Sequence, residues 1–167
     1  MDWTLFAIFF VATAAAGSTG MIFQPGSWYD GLQKPRWTPK PWVFPVVWTT
    51  LYILIAVAGA RLAGVPGAGM ALAFWAAQIA FNTLWTPVFF GAHRMRLAMG
   101  VMVFLWFSVA GLVREAFALD LWSGVMLVPY LVWVSIAAAL NFEVLRLNRW
   151  GRDAKAAEVS ASGHSPE

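Results

Sequence analysis

The chain has 167 residues, with 11 Lys and Arg, 8 Asp and Glu, and no Cys. It is 60% hydrophobic and only 11% charged, where an ordinary soluble domain carries about 25% charge. That leaves too little polar surface to cover a soluble globule, so the solvent implied is lipid. Disulfides and thiolate metal sites are excluded, and the basic residues flank apolar runs rather than forming the basic face of a nucleic-acid binder.

A bilayer-spanning helix needs about 20 mostly apolar residues, and five runs qualify. The first covers 3–23. Its stretch Ala12–Gly17 has the small residues of a signal-peptide cleavage region, yet no Lys or Arg precedes it and Asp2 stands where a positive segment belongs; a retained helix is expected. A loop at 24–41 follows, reading WYDGLQKPRWTPKP from Trp28 to Pro41. Its prolines limit the backbone and predict a semi-rigid lid. The second run, 42–63, has Pro45 in its first turn, where a missing N–H matters little, and Arg61 near its end. Gly64, Pro66, Gly67 and Gly69 mark a turn before the third run, 70–90. His93, Arg94 and Arg96 lie in the link to the fourth run, 97–119, whose last turns carry Arg114 and Glu115. Asp120 and Leu121 separate it from the fifth, 122–145. The tail, 148–167, turns polar and is expected to be disordered. Backbone groups in lipid must bond internally, and the runs lack the alternation of barrel strands. The expected fold is therefore all-α: a bundle of five transmembrane helices over residues 1–147.

Charge placement orients this multi-pass protein. One side holds Lys34, Arg36, Lys40, Arg94, Arg96, Arg146, Arg149, Arg152 and Lys155; the other holds Arg61 and Arg114. In an inner membrane this puts the first loop and the C-terminus in the cytoplasm. An outer membrane would void the inference. No internal repeat of the kind found in transporter halves is visible.

Helical spacing sorts the polar and aromatic residues into stripes. The second run aligns Pro45, Trp48, Thr49, Tyr52 and Ala56; the third aligns Gln78, Phe81, Asn82 and Trp85; the fifth aligns Tyr130, Trp133, Ala137 and Asn141. Amides in hydrocarbon need partners, so these stripes face the bundle interior. Gln78, Asn82 and Asn141 either bond one another and knit the bundle or line a ligand pocket. Trp3, Trp42, Trp122 and Trp150 suit interfacial anchoring. Trp48, Tyr52 and Trp133 sit deeper, and a pocket walled by such rings suits a flat, apolar, conjugated guest.

No catalytic constellation and no metal site is apparent. His93 is a lone loop histidine with no second ligand candidate nearby, and Glu143 is spaced to pair with Arg146 at the end of the fifth run. Gly69, Ala73 and Ala77, with Ala76 and Ala80 one position off, form small-xxx-small runs on the third run. Such runs mark either a dimer face or small filler within the bundle.

Three motifs carry a resemblance. The first is Trp28-Tyr29, Leu32, Lys34-Pro35, Trp37, Pro39, Trp42-Val43, Trp48 and Leu51-Tyr52. The second runs from Gln78 through Asn82 to Trp85. The third is Pro129-Tyr130-Leu131-Val132-Trp133 with Leu140-Asn141. In this order the chain, over about residues 3–146, resembles the TspO/MBR family of tryptophan-rich sensory proteins, which includes the mitochondrial translocator protein (the peripheral benzodiazepine receptor).

The resemblance implies a five-helix membrane bundle, often homodimeric, with no obligatory cofactor. It implies a pocket opening toward the first loop that takes porphyrins, such as protoporphyrin and haem, and synthetic benzodiazepine-site ligands; mitochondrial relatives also bind cholesterol. Carried over by motif position, the pocket uses Tyr29, Trp48, Tyr52, Gln78, Asn82, Trp85, Trp133, Ala137 and Leu140. Trp28, Lys34, Arg36 and Trp37 belong to the lid and mouth, where Lys34, Arg36 or Lys40 is placed to meet propionates. The function implied is a membrane receptor or sensor in tetrapyrrole or stress regulation. Light-dependent porphyrin degradation and porphyrin or lipid transport are the alternatives. Two departures stand out. Lys40 replaces the second of two adjacent prolines usual after the Trp at position 37. Phe142 takes the place of a Tyr in the sterol motif near Arg146, a weak pattern in any case, which counts against sterol binding by that route.

Overall fold

A computed structural model describes the backbone of residues 2–162 and the side chains of residues 2–148. Every element among the described residues is helical. In chain order they are α1 (Trp3–Ile22), α2 (Ser27–Asp30), α3 (Val43–Ala63), α4 (Gly69–Thr86), a π-helical turn (Pro87–Gly91), α5 (Met95–Leu119) and α6 (Leu121–Ser162). Asp2 caps α1, its Oδ1 accepting from the N–H groups of Thr4 (2.8 Å) and Leu5 (3.2 Å). The acidic residue at the start is thus a helix cap. Pro45 falls in the first turn of α3, where no intrahelical bond is lost.

Among the described residues, four helices are long and apolar enough to cross a membrane: α1, α3, α5 and the Leu121–Asn148 part of α6. The helix α4 has 18 residues, or about 27 Å of rise, and carries Gln78, Asn82 and Thr83 among its apolar residues. The π-turn at its end extends the run. Beyond Asn148 the backbone stays helical to Ser162, where a disordered tail was expected from residue 148. Arg, Ala, Lys and Glu in that segment are good helix formers. Residues 163–167, the end of that tail, lie outside the described residues, as does the side chain of Trp150.

The five long helices close into a ring: α1 packs on α3, α3 on α6, α6 on α5, α5 on α4, and α4 back on α1. Large apolar side chains point outward, among them Trp3, Ile8 and Val11 on α1, Phe104 and Phe107 on α5, and Trp122, Val132 and Phe142 on α6. Small residues line the inside, including Ala56, Ala58, Ala60 and Ala71. This is the arrangement expected where lipid is the solvent and close backbone approach supplies the packing. A Cβ at Gly59 would run into the rings of Phe9 on α1 and Trp75 on α4, so the three helices meet there only because the residue is glycine. Trp75 uses its indole N–H at the same place, donating to the Ile55 carbonyl at 3.1 Å.

At one end of the ring, Arg61 forks onto Asp120: Nε donates to Oδ2 and Nη2 to Oδ1, each at 2.8 Å. Asp120 also accepts from the Ser123 N–H at 3.1 Å and from its hydroxyl at 2.5 Å, capping α6. The Arg61 guanidinium, and then the Ser123 hydroxyl, hold the Asp120 carboxyl well below the usual carboxylate range. One carboxylate thus ties the end of α3 to the start of α6. The short α5–α6 connection is more than a separator.

Candidate functional site

Two groups of aromatic and polar side chains lie at the opposite end, beneath the first loop. The deeper group is a directional hydrogen-bond chain across three helices. The Tyr52 hydroxyl on α3 donates to Asn82 Oδ1 on α4 at 3.1 Å. Asn82 Nδ2 donates to the Tyr130 hydroxyl on α6 at 3.1 Å, and that hydroxyl donates to Gln78 Oε1 on α4 at 2.7 Å. Gln78 and Tyr130 are fully buried. Trp48 closes the group, stacked on Tyr52 with centroids 5.3 Å apart and edge-on to Tyr130 at 6.2 Å.

The amides therefore do not bond one another. Tyr130 stands between Gln78 and Asn82, and Asn141 lies apart, donating to the Met99 sulfur at 3.2 Å. Tyr130, which helical spacing sets on the α6 stripe outside the candidate pocket residues, is the hub. Its signal was the third motif, where it is the one hydroxyl on a stripe facing two amides.

The shallower group gathers around the π-turn. Trp85 stacks on Phe89 at 5.1 Å. Trp28 and Tyr29 from α2 meet Phe89 edge-on at 5.7 and 6.2 Å, and Tyr29 meets Phe90 at 5.3 Å. Leu140 and Val144 of α6 are buried in the same cluster, with Phe44 and Leu32 packed against it. A π-turn places an extra residue per turn, and here it brings the consecutive Phe89 and Phe90 to the underside of the loop. Nothing in the sequence pattern singled these two out. Trp133 lies edge-on to Phe44 at 5.7 Å, and Ala137 packs against the core beside it. Trp85 packs against both the main apolar core and the cluster around Phe89.

The lid holds itself in place. Lys34 Nζ sits 4.3 Å from the Tyr29 ring centroid and donates to the Asp30 carbonyl at 3.4 Å, so it is engaged inside the loop. Burial, and secondarily the neighbouring Asp30, push the Tyr29 phenol up. Arg36 and Trp37 are exposed. Thr38 turns back onto the Pro35 carbonyl through its N–H and its hydroxyl, and the Lys40 carbonyl accepts from Val43 N–H at 2.9 Å as α3 begins. Lys40 therefore sits in a turn leading directly into the helix. Asn148 on α6 pairs with Gln33 of the loop, an anchor with no precursor in the motifs.

Four buried polar atoms have no hydrogen-bond partner among the described residues: Gln78 Nε2, Trp85 Nε1, Trp133 Nε1 and Asn141 Oδ1. Three of the four are donors on residues of the candidate pocket. Glu143 pairs with Arg146 at 2.9 Å, as its spacing implied. On the candidate dimer face, Gly69 and Ala73 are exposed and Ala77 is half-buried, with Ala76 and Ala80 also exposed; the small-residue runs of α4 lie on the outside of the ring. No cluster of metal-ligating side chains occurs among the described residues.

Residues 6–147 match the model of the TspO/MBR family. The chain is 53% identical to the tryptophan-rich sensory protein of Cereibacter sphaeroides over 91% of its length and 96% of the relative's. It is 55% identical to the protein CrtK of Rhodobacter capsulatus over 89% of its length and 95% of the relative's. It is 33% identical to the human translocator protein over 75% of its length and 77% of that chain.

Proposed function

The chain belongs to the TspO/MBR family of membrane proteins, and from that premise we propose that it is a receptor or sensor for tetrapyrroles such as protoporphyrin or haem. The guest lies beneath the lid, against Trp48, Tyr52, Trp85 and Trp133, and benzodiazepine-site ligands take the same place. The output is regulatory, in tetrapyrrole metabolism or the stress response.

The observation that carries this reading is the set of partnerless buried donors, Gln78 Nε2, Trp85 Nε1 and Trp133 Nε1. Each such group costs about 1–3 kcal/mol. A flat macrocycle bearing propionates supplies carboxylate oxygens as acceptors, and its faces suit the surrounding rings. Titration of protoporphyrin against tryptophan fluorescence tests the reading. Saturable quenching weakened in Trp133→Ala and Tyr52→Ala is expected; quenching that never saturates, or that both variants leave unchanged, overturns it.

A second reading adds photochemistry at the same place. Trp48 stacks on Tyr52, so a ring electron can pass to light-excited porphyrin, with dioxygen as the oxidant that opens the macrocycle, while the Tyr52 hydroxyl stays hydrogen-bonded to Asn82 Oδ1. Illumination of the complex should then give products that free porphyrin does not; an identical product spectrum removes this reading.

For topology, we propose that α4 with its π-turn is the fifth crossing. The loop 24–41 then shares a side with the C-terminal end of α6, cytoplasmic in an inner membrane. The chain has no cysteine, so Pro66→Cys and Ala92→Cys are clean reporters; impermeant labels should reach them from opposite faces. The exposed Gly69, Ala73 and Ala77 runs on α4 are proposed as a homodimer face, which crosslinking through Ala73→Cys would test.

A further inference from the structure

An open cleft of about 370 Å³ lies beside the lid, lined by Trp28, His93, Arg94, Arg96, Leu97 and Leu145 among others. We infer that it is a headgroup site for an anionic phospholipid, separate from the pocket under the lid.

Four observations converge on it. The first is charge: Arg94 and Arg96 are exposed, and the ion pairs among the described residues engage Asp120, Glu115 and Glu143 elsewhere. Two guanidinium groups that pair with no carboxylate among the described residues match a phosphate diester, which they can hold through paired N–H donors. The second is backbone. His93 has φ of 54°, a left-handed conformation that a residue with a Cβ adopts at some cost. The π-turn holds it there, with Ala92 N–H bonded to the Pro87 carbonyl at 2.8 Å and Arg94 N–H to the Val88 carbonyl at 3.1 Å. Strain of this kind clusters at functional sites.

The third is the aromatic wall: the His93 ring lies flat on Trp28, 4.2 Å between centroids and 20° between planes, which fixes the loop carrying the arginines. The fourth is depth. Leu97, one residue past Arg96, is half exposed and opens the outward face that continues through Val103 and Phe104. The arginines therefore stand at headgroup level above a surface that takes acyl chain. A soluble anion has no use for that apolar floor. The side is also the one where basic residues collect, as anionic leaflets favour.

The test uses the full chain purified in a neutral detergent, with native mass spectrometry after addition of phosphatidylglycerol or phosphatidylcholine. One phosphatidylglycerol should be retained in preference to phosphatidylcholine. The double variant Arg94→Gln/Arg96→Gln should reduce that retention by about tenfold, and Leu97→Ser, at an exposed position that leaves folding alone, should reduce it severalfold. Arg114→Gln, at the far end of the same helix, should not. Equal retention of the two lipids, or retention unchanged in the double variant, overturns the proposal. So does displacement of the lipid by millimolar inorganic phosphate, which would mark a site for soluble anions. Stoichiometric displacement by protoporphyrin also overturns it, by assigning the cleft to the mouth of the tetrapyrrole pocket.

Discussion

Asn148 pairs both ends of its side-chain amide with the backbone of Gln33. Its Nδ2 donates to the Gln33 carbonyl at 3.0 Å while its Oδ1 accepts from the Gln33 N–H at 3.1 Å. The same Nδ2 also reaches the Val144 carbonyl at 2.7 Å. Residues 115 apart in sequence are thus joined as two strands would be, and the lid is pinned at its middle to α6.

Lid opening should therefore depend on Asn148. In Asn148→Ala both bonds to the loop are lost, worth about 1–2 kcal/mol together at this partly exposed position. Backbone amides of the loop 27–40 should exchange faster with deuterium, Gln33 above all, while those of α5 keep their protection. Bound porphyrin should leave severalfold faster. Loop exchange indistinguishable from the parent protein would show that the aromatic contacts of Trp28 and Tyr29 alone hold the lid.

Removing one oxygen should separate the hub of the hydrogen-bond chain from its end. Tyr130→Phe leaves Gln78 Oε1 and Asn82 Nδ2 without partners in the buried interior, a loss of about 1–3 kcal/mol. Tyr52→Phe leaves only Asn82 Oδ1, in a less buried place, and should cost about 0.5–1.5 kcal/mol. Thermal unfolding in detergent should rank the variants parent, Tyr52→Phe, Tyr130→Phe in falling stability. The reverse order would mean that the chain is organised from the mouth and not from Tyr130.

The contrast between these residues shows what the sequence could reveal. Helix positions and most of the inward stripes follow from apolar run length and spacing, because lipid forces every polar group to declare itself against a nonpolar background; Pro45 and Thr49 of the α3 stripe are the exceptions and lie exposed. Trp48, Tyr52, Gln78 and Asn82 were legible for that reason. Partner choice was not, since spacing along one helix says nothing of what faces it across the bundle: Gln78 meets Tyr130, and Asn141 meets Met99. The π-turn, which carries Phe89 and Phe90 under the lid, leaves no mark in an apolar pattern. Arg61 and Asp120 were each visible as charges near span ends, and their bidentate pairing depends on α3 and α6 being neighbours in the ring.

That pairing makes stability pH-dependent in a defined direction. The folded carboxyl of Asp120 titrates below its ordinary range, with Arg61 the main cause, so its contribution is fully present above the unfolded value of about 3.9 and is lost as pH falls below that toward the depressed folded value. Asp120→Asn should lose about 1–2 kcal/mol at pH 7, from a weakened cap and a broken, partly exposed ion pair. The gap in melting temperature between parent and variant should narrow below about pH 4. A gap that holds constant down to pH 3 would leave the carboxylate no role beyond its shape.

The last prediction links α1 to the candidate pocket. A Cβ on Gly17 would fall 2.6 Å from Tyr52 Cε2 and 3.2 Å from its Cδ2, closer than packed atoms tolerate. The Tyr52 ring occupies its place because α1 offers a bare backbone there. Gly17→Val should push that ring, loosen its stack on Trp48 and break its bond to Asn82, with overpacking costing about 1–3 kcal/mol. Tryptophan emission should shift and porphyrin affinity should fall. The double variant Gly17→Val/Tyr52→Ala removes the ring that clashes, so its loss of stability should be smaller than the sum of the two single losses, by a coupling of at least about 0.5 kcal/mol. Strict additivity would mean that the valine is accommodated by movement of α1 as a whole, and that Gly17 does not set the position of the Tyr52 ring.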